Sequence, residues 1–269
     1  MDKEVKFETN SFGKRLKSML IVDFRRMFTM PLFYIMAGVC LAIPILILVM
    51  TTMMDGTVSV NPQTGAETVI EGFDTVWQII GSASSEAAVM DMSLTGMCNI
   101  NMLYFFVGVF VCIYVSEDFR SGYVKNLFTV RAKKTDYVIS KSLVGFVGSV
   151  CMLLAFFVGA MLGGAIVGLP FNTGAAGKSG VIACMLSKIF LVAIFVALDI
   201  MIAVIAKQRA WLSIVGSLMA GMLFFTMVPI MTPLDAGIVN ILLCLVGGAL
   251  FSVGIGAISN LILNKTNIL

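Results

Sequence analysis

The chain has 269 residues, of which 59% are hydrophobic and 12% are charged, with a net charge of +3 and a mean hydropathy of +1.02. Such a composition excludes an ordinary soluble domain and is typical of an integral membrane protein. Histidine is absent, and the six cysteines are scattered without a C-x-x-C pair. The sequence therefore indicates no catalytic histidine, no disulfide framework and no metal site.

The first predicted element is an amphipathic helix over residues 11–28, within a cytoplasmic segment of residues 1–31. Apolar residues recur at helical spacing with five basic residues among them, which is typical of a helix at the inner membrane surface. A basic leader that only orients the chain is the alternative. Pro31 is expected to separate this helix from the first span. The apolar face includes Phe12, Leu16, Leu20 and Phe24.

Six apolar runs follow, each near the roughly 20 residues that a helix needs to cross a hydrocarbon core about 30 Å thick. They are residues 32–53, 99–115, 143–167, 181–206, 210–231 and 237–263. The runs are apolar all round and lack strict alternation, which favours helices over a barrel. We therefore expect an all-α polytopic membrane protein with one domain of six transmembrane helices over residues 32–265 and a cytoplasmic tail at residues 266–269.

Small residues at four-residue spacing in the third and sixth runs indicate close helix packing. These are Gly159 with Gly163, Gly164 with Gly168, and Gly248 with Ser252 and Gly256.

The distribution of charge predicts the orientation of the chain. Sixteen of the 18 Lys and Arg residues fall on segments that would share one face of the membrane, and that face should be cytoplasmic. The loop of residues 54–98 carries six acids and no base, so we expect it outside, with both termini inside. Its negative charge could attract cationic ligands, or the loop could simply be solvated.

The sequence Gly177-Lys178-Ser179 resembles the end of a phosphate-binding loop. The motif needs a glycine where Asn172 stands, it needs a preceding strand that the sequence does not predict, and the predicted topology places it outside the cell. We therefore expect any energy source to come from another chain or from a gradient.

Two ionisable residues, Lys188 and Asp199, lie clearly inside a predicted span, where the cost of desolvation makes them candidates for a functional role. They are 11 residues apart, which is about 16 Å along a helix, so they cannot pair directly. Lys188 is expected to snorkel outward. Asp199 is expected to bond to a neighbouring helix or to approach the inner surface, and a structural role is the alternative to a transport role for both.

The end of the fifth run contains Pro229 and Pro233, which are incompatible with a continuous helix. Either a broken helix that partly re-enters the outer leaflet or an ordinary turn fits this pattern.

The polar block from Glu117 to Lys141 carries six bases and three acids between two apolar runs, in a cytoplasmic loop of residues 116–142. Residues 123–130 have a pattern that suits a short helix, with Tyr123, Leu127 and Val130 near one face. Such a helix could be presented to a soluble partner, or the loop could only set the topology.

The chain resembles the membrane subunits of ABC-2 type transporters, the exporter-like permeases of bacterial ATP-binding cassette systems. The resemblance rests on the amphipathic helix, on the stretch from Glu117 to Gly122, and on Leu127, the basic cluster of residues 131–134 and the Tyr137-x-x-x-Lys141 element. It covers essentially the whole chain. The proline often found near the basic cluster in such permeases is replaced here by Val130.

This resemblance implies a multi-pass protein of the bacterial cytoplasmic membrane that carries no cofactor and is not itself an enzyme. Two permease chains, as a homodimer or with a sister permease, would pair with two cytoplasmic ABC ATPase subunits that bind ATP and Mg. The loop after the second span would dock on the ATPase. The implied coupling residues are Glu117, Asp118, Arg120, Gly122, Lys125 and Leu127.

Chains of this size with an extended first outer loop resemble permeases that export antimicrobial peptides or give immunity to them. An amphipathic cationic peptide is the preferred substrate, since acids predominate outside and Met and Phe are abundant. A drug, a lipid-linked glycan or a sodium ion is compatible with the same chain. The other hypotheses are a membrane anchor or sensor without transport and, less favoured because the spans lack catalytic groups, an intramembrane enzyme. No nucleic-acid partner is indicated.

Overall fold

The computed structural model describes residues 11–60, 67–82, 94–129, 133–225 and 227–265. Helices make up most of these residues, as predicted for an all-α polytopic membrane protein. The α-helices are α1 (Phe12–Thr29), α2 (Pro31–Met54), α3 (Leu94–Met97), α4 (Leu103–Arg120), α5 (Tyr123–Thr129), α6 (Lys134–Val167), α7 (Gly177–Ala206), α8 (Ala210–Phe225), α9 (Met227–Met231) and α10 (Ile238–Lys265).

Among the described residues, five helical segments are long and apolar enough to cross a membrane, and α8 is a shorter apolar helix. The fifth predicted span, residues 210–231, is divided between α8 and α9, and the short helix α9 is followed by Pro233. Three spans extend beyond their apolar runs, because α4 continues to Arg120, α6 begins at Lys134 and α7 begins at Gly177. The apolar runs therefore located the helices but not their polar ends.

Close contacts at small residues hold the bundle together, as the glycine spacing predicted. At Gly159, an added Cβ would collide with the backbone oxygen of Leu41, so only glycine allows α6 to approach α2 this closely. An added Cβ at Gly248 of α10 would lie 2.6 Å from the backbone oxygen of Phe190 in α7. Gly168 instead ends α6 in a left-handed conformation with φ of 80°.

Part of the first loop packs onto the bundle, which neither interpretation of this loop from the sequence anticipated. Two short strands, β1 (Val58–Val60) and β2 (Glu67–Val69), pair in antiparallel fashion. A 3₁₀ helix (Val76–Ile79) follows, and Val76 is buried against α6 at Gly164. The indole of Trp77 donates a hydrogen bond to the backbone oxygen of Phe171 at 3.0 Å.

Different contacts close the two ends of the bundle. The loop that follows β2 contacts the connections after α6 and α9 at one end, where the backbone N–H of Leu234 bonds to the oxygen of Ser82 at 2.8 Å. At the opposite end, Arg15 of α1 pairs with Asp136 of α6 at 2.9 Å, and Lys134 of α6 donates to the backbone oxygen of Leu263 in α10 at 2.6 Å. We call this second end the basic end, since the basic segments that the sequence placed on one face meet there.

Helix α1 confirms the predicted amphipathic helix, although its buried face is not purely apolar. Leu20 and Phe24 pack against the core, Leu16 is half-buried, and Phe12 is exposed. The buried side also contains an acid, Asp23. The position of α1 at a membrane surface stays a prediction.

Candidate functional site

Four charged side chains from three helices meet inside the basic end. Asp23 and Arg26 come from α1, Asp118 from α4 and Lys141 from α6, and we call them the charge cluster. The ammonium of Lys141 lies between the two carboxylates, 2.8 Å from Oδ1 of Asp23 and 2.7 Å from Oδ2 of Asp118. Arg26 places a guanidinium nitrogen 2.6 Å from the other oxygen of Asp118.

The members of the charge cluster reach one another because helical spacing aligns them. Asp23 and Arg26 are three residues apart on α1, so both side chains project from the same face of that helix. Lys141 and Tyr137 are four residues apart on α6 and likewise share a face. The Tyr-x-x-x-Lys element of the sequence is therefore the face of α6 that meets Asp118.

Neutral side chains complete the hydrogen bonding around the cluster. Ser140 donates to Asp23 at 2.6 Å, and Tyr137 donates to Asp118 at 3.0 Å. The hydroxyl of Tyr114 accepts from Lys141 at 3.1 Å and donates to the backbone oxygen of Asp23 at 3.1 Å. The side chains of Lys141 and both acids have no exposed surface. A buried ionic network of this kind is strongly destabilised when one member is removed, because the remaining charges lose their partner.

Helix α5 lies directly against this cluster. It is set at an angle to α4 by Gly122, whose φ of 75° is a left-handed conformation that favours glycine. The ring of Tyr123 lies under the guanidinium of Arg26, 4.1 Å from its carbon to the ring centroid. Phe128 packs edge-on against Tyr137 with ring centroids 5.9 Å apart. Displacement of α5 must therefore disturb side chains that contact the cluster.

Two pKa values at the surface of the cluster reflect these contacts. Burial alone would lower the pKa of Arg26, but the Asp118 carboxylate outweighs it and raises that pKa above the ordinary value. Burial, together with the charge of Asp23, raises the pKa of Tyr123. Arg26 therefore stays charged and Tyr123 stays protonated at neutral pH.

The predicted coupling residues divide into a surface group and an internal one. Arg120 and Lys125 are exposed and Glu117 is partly exposed, with Arg120 and Glu117 4.0 Å apart. Asp118 is fully buried in the charge cluster, so the acidic pair of the sequence has one member at the surface and one inside. Its expected place in a docking surface does not fit this position, because its side chain is enclosed by Arg26 and Lys141. The coupling role itself stays a prediction.

The predicted helix at residues 123–130 is confirmed, but its inward face differs from the expected one. Val124 is buried, and Leu127 and Phe128 pack against the core. The expected face used Tyr123, Leu127 and Val130, and Val130 lies outside the described residues.

Sequence reasoning missed Asp23 and Arg26. Asp23 is the only acid between residues 11 and 31, within a helix otherwise rich in bases, and that isolation is the signal that could have identified it. Its partner Lys141 is 118 residues away, so nothing in the local pattern indicates the pairing.

The expectation that Lys188 snorkels outward is wrong. The side chain is fully buried, and its ammonium donates to Asn101 Oδ1 at 3.1 Å and to Thr232 Oγ1 at 2.7 Å. These bonds tie α7 to the segment before α4 and to the end of the α8–α9 region. Among the described residues, no carboxylate lies within ion-pair distance of this ammonium.

Asp199 bonds to a neighbouring helix, which was one of the two expectations for it. Ser217 of α8 donates to Asp199 Oδ1 at 2.6 Å, while Oδ2 has no hydrogen-bond partner in the described part of the chain. Gly108 of α4 makes this contact possible, since an added Cβ would collide with the Ser217 hydroxyl. Lys188 and Asp199 thus have separate, neutral partners.

The Gly177-Lys178-Ser179 stretch begins α7. It follows a 3₁₀ turn (Gly174–Ala176) rather than the strand that a phosphate-binding loop requires, and Lys178 is exposed.

These features define the chain as an all-α polytopic membrane protein with a short helix presented at one end of the bundle. The model of the ABC-2 family transporter protein family matches residues 25–228, which is most of the chain and includes α5 and three members of the charge cluster. The protein belongs to the ABC-2 transporter family, whose members are membrane subunits of ABC transporters. No curated protein and no solved structure matches the chain.

Proposed function

We propose that this chain is the permease subunit of a bacterial ABC exporter, and that a separate ABC ATPase drives it by docking on α5. The ATPase would bind ATP and Mg, and two copies would act on a homodimer of this chain or on its heterodimer with a sister permease. The permease would lie in the cytoplasmic membrane with the basic end and both termini inside.

The observation that carries this proposal is the contact between α5 and the charge cluster. A docked ATPase would touch the exposed side chains at Glu117, Arg120 and Lys125. Movement of α5 would reach Arg26 through Tyr123, and Arg26 holds Asp118. The cluster joins α1, α4 and α6, so one displacement at the surface acts on three helices together.

The preferred substrate is an amphipathic cationic peptide, and the acidic loop at the far end supports it. The loop, residues 54–98, contains six acids, among them Glu71 and Asp74, and no base. A uniformly negative loop raises the local concentration of cationic ligands.

Co-purification with the ATPase tests the docking surface. Glu117→Lys and Lys125→Glu each reverse one exposed charge, and we expect each to reduce the amount of ATPase retained while the permease still inserts and remains folded. Lys14→Glu reverses an exposed charge on α1 and serves as the matched control. Retention of the ATPase by both α5-region variants at the control level would overturn the coupling assignment.

Survival of cells exposed to cationic peptides tests the substrate. Cells with the permease and its ATPase should tolerate higher peptide concentrations than cells that lack them, and an ATPase without a functional nucleotide site should abolish the difference. Equal survival across cationic peptides would overturn the peptide proposal. Peptide binding to the permease without ATP-dependent flux would instead favour the anchor or sensor hypothesis.

A further inference from the structure

A cleft of about 590 Å³ lies at the basic end, between α5 and the turn that joins α7 to α8. Four basic residues from both sides line it: Arg120, Lys125, Lys207 and Arg209. All four are exposed, and the residues that line the cleft include no acid. Within the described ranges, Arg120 is the one base of the four with an acid nearby, at 4.0 Å from Glu117. The cleft therefore concentrates positive charge that the described part of the chain leaves largely uncompensated.

Apart from Gln208, the remaining side chains that line the cleft are apolar. Phe119, Ile205 and Leu212 contribute to its wall. The face of α8 that continues from Leu212 toward the middle of the bundle is also exposed and apolar, with Val215 and Met219 on it. Trp211 lies at the beginning of this face and is 66% exposed, in a position that suits an aromatic residue at the boundary between headgroups and acyl chains.

The turn that carries two of the bases has an unusual backbone. Lys207 has a φ of 55°, and it is the non-glycine residue with positive φ among the described residues. A left-handed lysine costs free energy, and such residues are found mainly where the surrounding structure requires them. The turn brings Lys207 and Arg209 to the cleft at the point where α7 ends and α8 begins.

We propose that this cleft binds the phosphate headgroup of an anionic phospholipid, with an acyl chain along the exposed face of α8. The bases provide the charge for the phosphate, and the adjoining apolar face provides a surface for the chain. An acidic segment of the ATPase would also neutralise the bases. It would not, however, cover the exposed apolar face of α8 that adjoins them. The bound lipid would bridge α5 to the α7–α8 turn. Because Arg120 and Lys125 also belong to the proposed ATPase contact, the assignment of the headgroup rests mainly on Lys207 and Arg209.

Titration of the purified full-length permease in neutral detergent, without the ATPase, tests this proposal. The probes are short-chain phosphatidylglycerol, short-chain phosphatidylcholine and inorganic phosphate, with binding measured from the increase in thermal stability and by native mass spectrometry. We expect phosphatidylglycerol to bind at least about tenfold more tightly than phosphatidylcholine, because several bases face the headgroup. Saturation by inorganic phosphate at the same concentrations would show a free-anion site and overturn the lipid assignment.

The variant Lys207→Gly combined with Arg209→Gln removes two bases of the cleft, and glycine adopts the positive φ of residue 207 without a steric penalty. We expect phosphatidylglycerol to bind about tenfold to thirtyfold more weakly, with phosphatidylcholine unchanged. The control, Lys14→Gln combined with Arg25→Gln, removes two exposed bases from α1 and should keep the wild-type affinity. The charge-conserving pair Lys207→Arg with Arg209→Lys should also keep it, which separates loss of charge from misfolding.

Two results would overturn the proposal. One is wild-type affinity for phosphatidylglycerol in the double variant. The other is an equal loss in the α1 control, which would show general surface electrostatics instead of a site. If the double variant keeps its lipid but loses the ATPase in co-purification, the cleft is a protein contact. Because lipid binding is measured without the ATPase, its failure is distinct from failure of the coupling proposal.

Discussion

The charge cluster and the middle of the bundle accommodate buried charges in different ways. In the charge cluster, two acids and two bases from three helices neutralise one another at distances of 2.6 to 2.8 Å. In the middle of the bundle, the partners that the described residues give to the side chains of Lys188 and Asp199 are hydroxyl and amide groups. The difference indicates that the cluster joins helices through charges that depend on one another, whereas Lys188 and Asp199 fasten α7 to neighbouring parts of the chain through neutral partners.

This contrast leads to an order of sensitivity. Removing one member of a buried ionic network leaves the others unpaired, which is costly. Removing a lone buried charge also removes its desolvation penalty, which offsets part of the hydrogen bonding that is lost. The same chemical change should therefore have a larger effect in the cluster.

Lys141→Met should have the largest effect. The methionine fills a similar volume but leaves Asp23 and Asp118 buried without the cation between them, so we expect the free energy of unfolding to fall by about 3–5 kcal/mol. Denaturant unfolding of the purified permease in detergent measures this. Lys125→Met, at an exposed lysine of α5, should leave stability within about 0.5 kcal/mol. Equal stability of the two variants would show that the cluster does not hold the helices together.

Arg26→Gln should have the next largest effect. It removes the guanidinium from Asp118, but Arg26 is partly exposed and Lys141 remains on the other carboxylate oxygen. We expect a loss of about 1.5–3 kcal/mol, the range for a hydrogen bond to a charged group. Arg25→Gln, at the adjacent exposed position, is the control in the same unfolding experiment. If Arg25→Gln lost as much stability, the effect would come from the overall charge of α1 and not from the cluster.

Lys188→Met should cost about 1 kcal/mol, well below Lys141→Met. Asn101 loses a donor, whereas the Thr232 hydroxyl keeps its bond to the backbone oxygen of Val228 at 2.8 Å, and the buried charge disappears. Thermal unfolding of both lysine variants side by side makes the comparison direct. A larger loss of stability in Lys188→Met than in Lys141→Met would contradict this order and would indicate that Lys188 has a charged partner.

Asp199→Asn should have the smallest effect, below about 1 kcal/mol, since the amide oxygen still accepts from Ser217. Ser217→Ala offers a matched reference for loss of the same bond. A transport defect in Asp199→Asn with unchanged stability would identify the carboxylate as functional and not only structural.

The sequence was informative wherever a signal was local. Apolar runs located the helices, glycine spacing indicated the contact at Gly159, and the pattern after Gly122 predicted α5. The ends of the helices were missed, because α4 and α6 carry polar residues that hydropathy assigns to loops. The fifth span was predicted as one run, although its prolines already indicated the break.

The sequence identified only part of the candidate site, because the rest depends on contacts between distant segments. Tyr137, Lys141 and the Glu117-Asp118 pair were recognised as motif residues, yet the role of Asp118 depends on burial beneath α1, which no local pattern reveals. Lys188 was expected to reach water because lysine usually does, and a threonine and an asparagine distant in sequence hold it inside instead.

Helix α6 has 34 residues and is therefore about 51 Å long, well beyond a hydrocarbon core of about 30 Å. Lys141 lies in the third turn of this helix, and Gly164 in its last turn contacts Val76. A continuous helix is a stiff rod, so any tilt imposed at one end displaces the other end without a relay of intermediate contacts. One continuous helix thereby connects the charge cluster at the basic end with the packed first loop at the other end.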